Sequence, residues 1–155
     1  MLKAGDKAPM FEAEADDGST FRVADALQRG PVVVFFYPGD FTPLCTKQVC
    51  MVRDDFSQLK QAGVTVVGVN PASAAKHGKF SAAHSLPFPL LADAGKQLAK
   101  AFGATGPLGL GTRRVSFLIG TDGVVVDAVE SNLGLGKHEE LLKRAATLNN
   151  SSPAS

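Results

Sequence analysis

Apolar residues along the chain form a few continuous runs that are separated by amphipathic stretches. The runs at residues 32–37 and 64–69 are rich in valine and aromatic residues, which is typical of strands covered on both faces. Between them, apolar positions recur with helical spacing from about residue 43 to residue 61, just before Gly63. This order predicts a strand–helix–strand unit with parallel strands.

The second half of the chain continues with six further predicted elements. In the order helix, short edge strand, helix, strand, strand and helix, they cover about residues 73–84, 89–91, 95–102, 114–119, 124–129 and 137–148. The last two strands are joined through Asp122-Gly123, a strong hairpin signal. A βαβ unit followed by a ββα unit predicts an α/β, thioredoxin-like fold: a mixed β-sheet with helices on both faces.

Composition adds limits on the class of protein. The chain has 155 residues, 45% hydrophobic and 20% charged, with a formal net charge of +1. These values favour a single globular domain over residues 1–148 with a flexible tail over residues 149–155, and they give no indication of a nucleic-acid partner. No apolar run approaches the roughly 18 residues of a membrane span, and residues 1–6 lack the apolar stretch of a signal peptide. We therefore expect no membrane association and a cytoplasmic location.

Two cysteines lie close together after the first buried strand. Cys45 falls in the first turn of the predicted helix, where backbone N–H groups lack intrahelical acceptors and the helix dipole is positive. Both features favour the thiolate, which is the nucleophilic form of cysteine. In a reducing compartment, a close cysteine pair is more often catalytic or metal-binding than structural. The sequence therefore predicts a redox or nucleophilic site at this junction.

The two cysteines fall on different faces of the helix. At 100° per residue, Cys45 lies on the same stripe as Val49 and Val52, whereas Cys50 lies about 140° away on the polar face. Burial as a small apolar side chain is an alternative for Cys45, but Cys50 is better explained as a disulfide partner. Residues five apart in an α-helix have Cα atoms about 8.7 Å apart, beyond the roughly 7 Å limit of a disulfide. If the two pair, part of the helix must unwind.

Several motifs in the chain resemble a known family. Pro38-x-x-x-Thr42-x-x-Cys45 matches the peroxiredoxin active-site pattern, and Thr42-Pro43 with Cys50 five residues after Cys45 is similar to the bacterioferritin-comigratory, or Q-type, subgroup. The strand that begins at Arg114 resembles the one that carries the family's active-site arginine, and residues 5–11 resemble the family's N-terminal start. The likeness extends from about residue 3 to residue 148.

The resemblance implies a thiol-dependent peroxidase that reduces hydrogen peroxide and organic hydroperoxides. Cys45 would attack the peroxide and become a sulfenic acid, with the Thr42 hydroxyl and the Arg114 guanidinium holding the oxygens and Pro38 shielding the site. The sulfenic acid would then condense with Cys50, and thioredoxin or a similar dithiol would reduce the resulting disulfide. No metal or organic cofactor is implied, and the lack of a cysteine-bearing C-terminal extension favours a monomer over a dimer.

Some residues depart from this pattern or allow a structural explanation. Leu44 stands where the subgroup often has glycine, and the segment at residues 106–111 is unusually rich in glycine. Thr42-Pro43 is also what a structural helix start would select, and Asp40 could oppose the thiolate.

Polar residues near the motif also have a simpler interpretation. Arg113 and Arg114 could be ordinary surface charges; strand alternation puts them on opposite faces, and only Arg114 matches the family position. We expect Lys47 and Gln48 to face solvent or neighbouring loops and assign no role to either.

Other chemistries fit the spacing less well. His77 and His84 lie seven residues apart on one predicted helix, but neither their spacing nor that of the cysteines is usual for zinc. A thioredoxin-like disulfide reductase would normally carry Cys-x-x-Cys. A non-enzymatic redox sensor or chaperone on the same scaffold is the other alternative, and turnover of peroxide with a dithiol would exclude it as the sole function.

Overall fold

A computed structural model of the chain describes residues 1–38, 43–93, 95–106, 111–131 and 134–151. Its elements are, in chain order, β1 (Glu12–Glu14), β2 (Thr20–Arg22), α1 (Val23–Leu27), β3 (Val32–Phe36), α2 (Pro43–Gln61), β4 (Thr65–Asn70), α3 (Ala74–His84), β5 (Leu90–Ala92), α4 (Gln97–Phe102), β6 (Val115–Ile119), β7 (Val125–Glu130) and α5 (Gly136–Ser151). Each element predicted from the sequence is present, with ends that differ by a few residues. Within the described segments, no helix is long and apolar enough to cross a membrane.

The main sheet has five strands in the order β5-β4-β3-β6-β7. β3, β4 and β5 run parallel, whereas β6 is antiparallel to β3 and β7 is antiparallel to β6. β1 and β2 form a separate antiparallel pair. The parallel strands come from the predicted βαβ unit and the antiparallel pair from the predicted hairpin, so the mixed thioredoxin-like sheet is confirmed.

Helices cover both faces of this sheet, because its central strands are apolar on both sides. All five residues of β3 are buried, and they alternate between two clusters of core side chains. One cluster includes residues of α1 and α4; the other includes residues of α2, α3 and α5. Burial on both sides explains why the sequence of β3 is a continuous apolar run and does not alternate between apolar and polar residues.

α2 connects the sheet to the cysteines. The helix begins at Pro43, whose ring suits the first helical position, and ends before Gly63, which has a φ of +77°. Its buried stripe contains Cys45, Val49 and Val52, as predicted. The stripe packs against the sheet and α5, so the start of α2 is held where β3 ends.

Some short elements have no clear signal in the sequence. α1 has five residues and β1 and β2 three each, too few for periodicity to distinguish them from loops. α5 continues to Ser151, past its predicted end at residue 148, and the remaining tail at 152–155 lies outside the described residues. The glycine-rich segment also falls largely outside them, at residues 107–110.

The carboxylate of Asp55 lies in an unfavourable position where α2 packs against α5. In the described part of the chain, the Asp55 Oδ2 atom is buried without a hydrogen-bond partner. Burial raises the pKa of Asp55, the negative charges of Glu139 and Asp54 raise it further, and Lys143 acts in the opposite direction. The folded state therefore binds this proton more readily than the unfolded chain, and at neutral pH the ionised carboxylate destabilises the fold.

We predict that Asp55→Asn stabilises the protein at pH 7, because the amide removes the charge at similar volume. The melting temperature should rise by no more than about 2–4 °C, since partial solvation limits the gain to roughly 1 kcal/mol. The advantage should shrink as the pH falls towards 4, where the wild-type carboxyl becomes protonated. Thermal unfolding followed by circular dichroism tests this. Asp25→Asn is the matched control: Asp25 is exposed on α1 and does not act on Asp55, so its loss should give no stabilisation.

Candidate active site

The candidate site lies where β3 ends, α2 begins and β6 begins. Phe36, the last residue of β3, pairs with Val115, the first residue of β6. Because these strands are antiparallel, Arg114 directly before β6 lies next to the point where the chain leaves β3 towards α2. The antiparallel register of β3 and β6 therefore brings Arg114 close to Cys45, although the two are 69 residues apart in the sequence.

Arg114 and Cys45 are in direct contact. The guanidinium Nη2 donates to the Cys45 Sγ at 3.2 Å, and the two residues are only 4% and 1% exposed. A buried guanidinium cannot lose its proton, so a group that can become negative beside it is favoured in its charged form. Cys45 also lies in the first turn of α2, where backbone N–H groups have no acceptor within the helix. Both features place positive electrostatic potential at the Cys45 sulfur.

Gln48 binds the other branch of the guanidinium. We expected it to face solvent or neighbouring loops; it contacts Arg114 in the segment just before β6, and the expectation of solvent is wrong. It is fully buried, and its Oε1 accepts from the Arg114 Nη1 at 2.5 Å. Its Nε2 is buried without a hydrogen-bond partner among the described residues. Lys47, for which we expected the same, is exposed. The helical spacing contained the signal for Gln48: three residues after Cys45, it lies about 60° from the buried stripe.

Arg113 points away from the cysteine, as strand alternation predicted. Its Nη1 donates to Glu130 at 3.2 Å and its Nη2 to the Gly103 carbonyl at 2.6 Å. Arg113 therefore ties the end of α4 to β7. Arg114 is the arginine of this site.

A buried polar network supports the strand that carries Arg114. His138 of α5 contacts the Ser116 Oγ through Nδ1 at 2.7 Å and the Ser131 carbonyl through Nε2 at 3.1 Å. The Ser131 N–H in turn donates to the Arg114 carbonyl at 3.2 Å. Burial lowers the pKa of His138, the positive charge of Arg114 lowers it further, and the bond to Ser131 acts in the opposite direction. At neutral pH the ring is therefore uncharged, donates from Nε2 and accepts from Ser116. This network was not predicted from the sequence.

Cys50 lies on the polar side of α2, as predicted, and is half-buried with a free thiol. The His84 Nδ1 is 3.8 Å from its sulfur. Cys45 and Cys50 belong to one continuous helix, so both occupy the geometry in which they cannot bond directly. The contact between His84 and Cys50 was not predicted from the sequence, where zinc was the role weighed for His84. The described residues contain no group of three or more side chains arranged to hold a metal ion.

Two other predicted site residues are less closely defined. Pro38 follows β3 and is exposed. Thr42 lies outside the described residues, as does Asp40, so their predicted roles stay predictions.

Fold and site together define a class of protein. A buried cysteine at a helix N-terminus, with a guanidinium on its sulfur and a second cysteine in the same helix, is suited to thiol redox chemistry on a thioredoxin-like scaffold.

Comparison with known proteins makes this assignment more specific. Residues 4–128 match the model of the AhpC/TSA family. Peroxiredoxin Bcp of Bacillus subtilis is 37% identical over 131 residues, which cover 81% of this chain and 83% of the relative. The crystal structure of the peroxidoxin BcpB of Mycobacterium tuberculosis has a TM-score of 0.87 at 32% identity and covers 99% of this chain and 100% of that one.

A third similar protein is the bacterioferritin comigratory protein of Xanthomonas campestris, whose structures concern its alkyl peroxide reduction activity. Its TM-score is 0.82 at 25% identity, covering 93% of this chain and 99% of that one. The chain belongs to the AhpC/TSA family, within the bacterioferritin-comigratory, or Q-type, peroxiredoxins. It is a thiol-dependent peroxidase, an oxidoreductase, and the resemblance noted in the sequence is confirmed.

We predict that Gln48 acts on the reaction through Arg114. Gln48→Met removes the acceptor at similar volume and should slow oxidation of Cys45 by about 10-fold or more, because a hydrogen bond to a charged group contributes roughly 1.5–3 kcal/mol. Arg114→Ala should cost on the order of 100-fold, and adding Gln48→Met to it should cost little more. Stopped-flow measurement of the second-order rate constant with hydrogen peroxide tests this. The control is Lys47→Met at the exposed neighbouring position. Fully additive losses would contradict a role through Arg114.

Proposed function

We propose that Cys45 is the peroxidatic nucleophile and that Arg114 is its main electrostatic partner. The observation that carries the proposal is the 3.2 Å hydrogen bond from the Arg114 Nη2 to the Cys45 sulfur inside a nearly water-free site. The guanidinium favours the thiolate before the reaction. Its planar array of donors can also hold an oxygen of the peroxide.

In the first step, the Cys45 thiolate attacks one peroxide oxygen and the O–O bond breaks. Sulfur supplies the electron pair of the new S–O bond and is oxidised to sulfenic acid. The second oxygen leaves with the electrons of the O–O bond and takes up a proton, which gives water from hydrogen peroxide or an alcohol from an organic hydroperoxide. Negative charge moves from sulfur to oxygen, so donors that already point into the site lower the barrier.

Three further groups would surround the peroxide together with Arg114. The Thr42 hydroxyl both donates and accepts, which suits a group between a peroxide and its neighbours. Free backbone N–H groups in the first turn of α2 supply fixed donors. Pro38, which is exposed after β3, would shield the site by adding bulk without a backbone donor.

In the second step, Cys50 resolves the sulfenic acid as an intramolecular disulfide. Its half-buried position makes it accessible, and its free thiol lies five residues from Cys45. The bond requires α2 to unwind locally, because both cysteines now lie in one regular helix with Cα atoms about 8.7 Å apart. The unwound disulfide is then presented to thioredoxin, which reduces it. Hydrogen peroxide and alkyl hydroperoxides are the proposed substrates.

The remaining parts of the proposal concern assembly and location. We propose a cytoplasmic monomer, with a single domain over residues 1–148 and no metal or organic cofactor. Neither nucleic acid nor membrane takes part.

We predict that Cys45→Ser abolishes peroxide reduction, because serine cannot supply a thiolate. Turnover is measured by NADPH oxidation with thioredoxin and thioredoxin reductase. The variant should fold like wild type, since the change at this buried position is small. Substantial residual turnover would show that another group is the nucleophile.

We predict a different failure for Cys50→Ser. It should still consume about one equivalent of peroxide, since Cys45 is intact, and then stop as the sulfenic acid. Excess peroxide should convert it to the sulfinic acid, and turnover with thioredoxin should be poor. Mass spectrometry after one equivalent of peroxide distinguishes these states.

Wild type should instead give an intramolecular Cys45–Cys50 disulfide and faster amide exchange over residues 43–52. An oxidised protein without that link, or with the helix intact around both cysteines, would overturn the resolving step.

A further inference from the structure

His84 is the titratable side chain nearest the resolving cysteine that has no part in the steps above. Its Nδ1 lies 3.8 Å from the Cys50 sulfur, which is hydrogen-bonding distance for a thiol donor. With the ring proton on Nε2, Nδ1 accepts the S–H. Both side chains are half-buried, so water can reach the pair but does not surround it.

The His84 ring is held in place from two sides. Within α3, the ring of Phe80 packs edge-on against it, with the centroids 4.9 Å apart. From α2, the Arg53 Nη1 donates to the His84 carbonyl at 2.9 Å. Arg53 is one helical turn from Cys50, so this bond fixes the end of α3 to the part of α2 that carries the thiol. The contact between His84 and Cys50 is therefore anchored at both helices.

One ion pair and one helix end determine the charge near the His84 ring. Arg53 is positive and would oppose a cationic ring, but it forms an ion pair with Asp54 at 3.1 Å. β5, against which α3 also packs, presents only uncharged residues. His84 is the last residue of α3, where the helix dipole is negative.

We infer that His84 is a catalytic residue of the resolving step: it takes the proton of the Cys50 thiol. The Cys50 thiolate then attacks the sulfur of the Cys45 sulfenic acid. The S–S bond forms with electrons from Cys50, whose sulfur is oxidised, and the S–O bond breaks as the Cys45 sulfur is reduced. The oxygen leaves as hydroxide and becomes water with the proton returned by His84 or taken from solvent. The inference rests on the proposed resolving role of Cys50.

The direct test measures the Cys50 thiolate without requiring α2 to unwind. In the Cys45→Ser protein, Cys50 is the single thiol, and its alkylation by iodoacetamide is followed by mass spectrometry from pH 6 to pH 10. Adding His84→Phe keeps a ring against Phe80 but removes the base, and His84→Gln removes it while keeping a polar side chain. Both should slow alkylation at pH 7 by about 10-fold or more. The rates should converge near pH 10, where thiols ionise without a base.

The matched control is Lys79→Asn, an exposed change on the same helix, which should leave the alkylation rate as it is. An unchanged rate at pH 7 in both His84 variants would overturn the inference. So would a loss that persists undiminished at pH 10, because that would mean a changed environment of the thiol rather than a missing base.

A second measurement separates this inference from the proposed function. With Cys45 present, His84→Phe should consume the first equivalent of peroxide as fast as wild type but form the Cys45–Cys50 disulfide more slowly at pH 7. Absence of that disulfide in wild type would defeat the proposed resolving role of Cys50, whatever the alkylation result.

Discussion

A guanidinium buried against a cysteine sulfur is the constraint on which the rest of this site depends. Removing an ion from water costs several kcal/mol unless partners compensate for the lost hydration. Arg114 donates to Gln48 and to Cys45, and of these two acceptors only the sulfur can carry a negative charge. The buried cation thus makes a positive charge beside the Cys45 sulfur part of the folded state, before any substrate is bound. Gln48 satisfies a donor of the guanidinium without competing for its charge.

The topology of the sheet explains why this contact is possible. A parallel βαβ unit places the start of α2 at the carboxyl end of β3. A strand antiparallel to β3 begins at that same end, so its first residues face the helix N-terminus. If β6 ran parallel to β3, it would begin at the amino end of β3, away from the start of α2. The mixed sheet therefore links the helix N-terminus and the arginine, and the bond from Ser131 to the Arg114 carbonyl steadies the arginine's backbone.

Much of this arrangement could be predicted from the sequence, because the period of apolar residues and the spacing of the motifs along the chain determine it. The continuous apolar runs, the Asp-Gly hairpin and the buried stripe under Cys45 are each local signals that the structure confirms. Gln48 was missed because its amide suggested solvent, although its helical position adjoins the buried stripe. The contact between His84 and Cys50 had no local signal, since it depends on how α3 packs beside α2. Tertiary packing of this kind is not encoded in the spacing along either helix.

The proposed disulfide requires the first turns of α2 to be less stable than the rest of the helix. The contacts of α2 differ before and after Cys50 in a way that meets this requirement. Beyond Cys50, the helix is held by the buried side chains of Val52 and Leu59 and by the bond from Arg53 to the His84 carbonyl. Before Cys50, its buried side chains are Cys45, Gln48 and Val49, and the two polar ones depend on Arg114. In the proposed reaction, the Cys45 sulfur that accepts from Arg114 becomes a neutral sulfenic acid, so the same step would weaken the contact that holds the first turns in place. Val49 is then the main buried apolar side chain of these turns, and its burial contributes roughly 1.5–3 kcal/mol. Unwinding therefore breaks the contacts of a short segment only, and the rest of the domain stays folded.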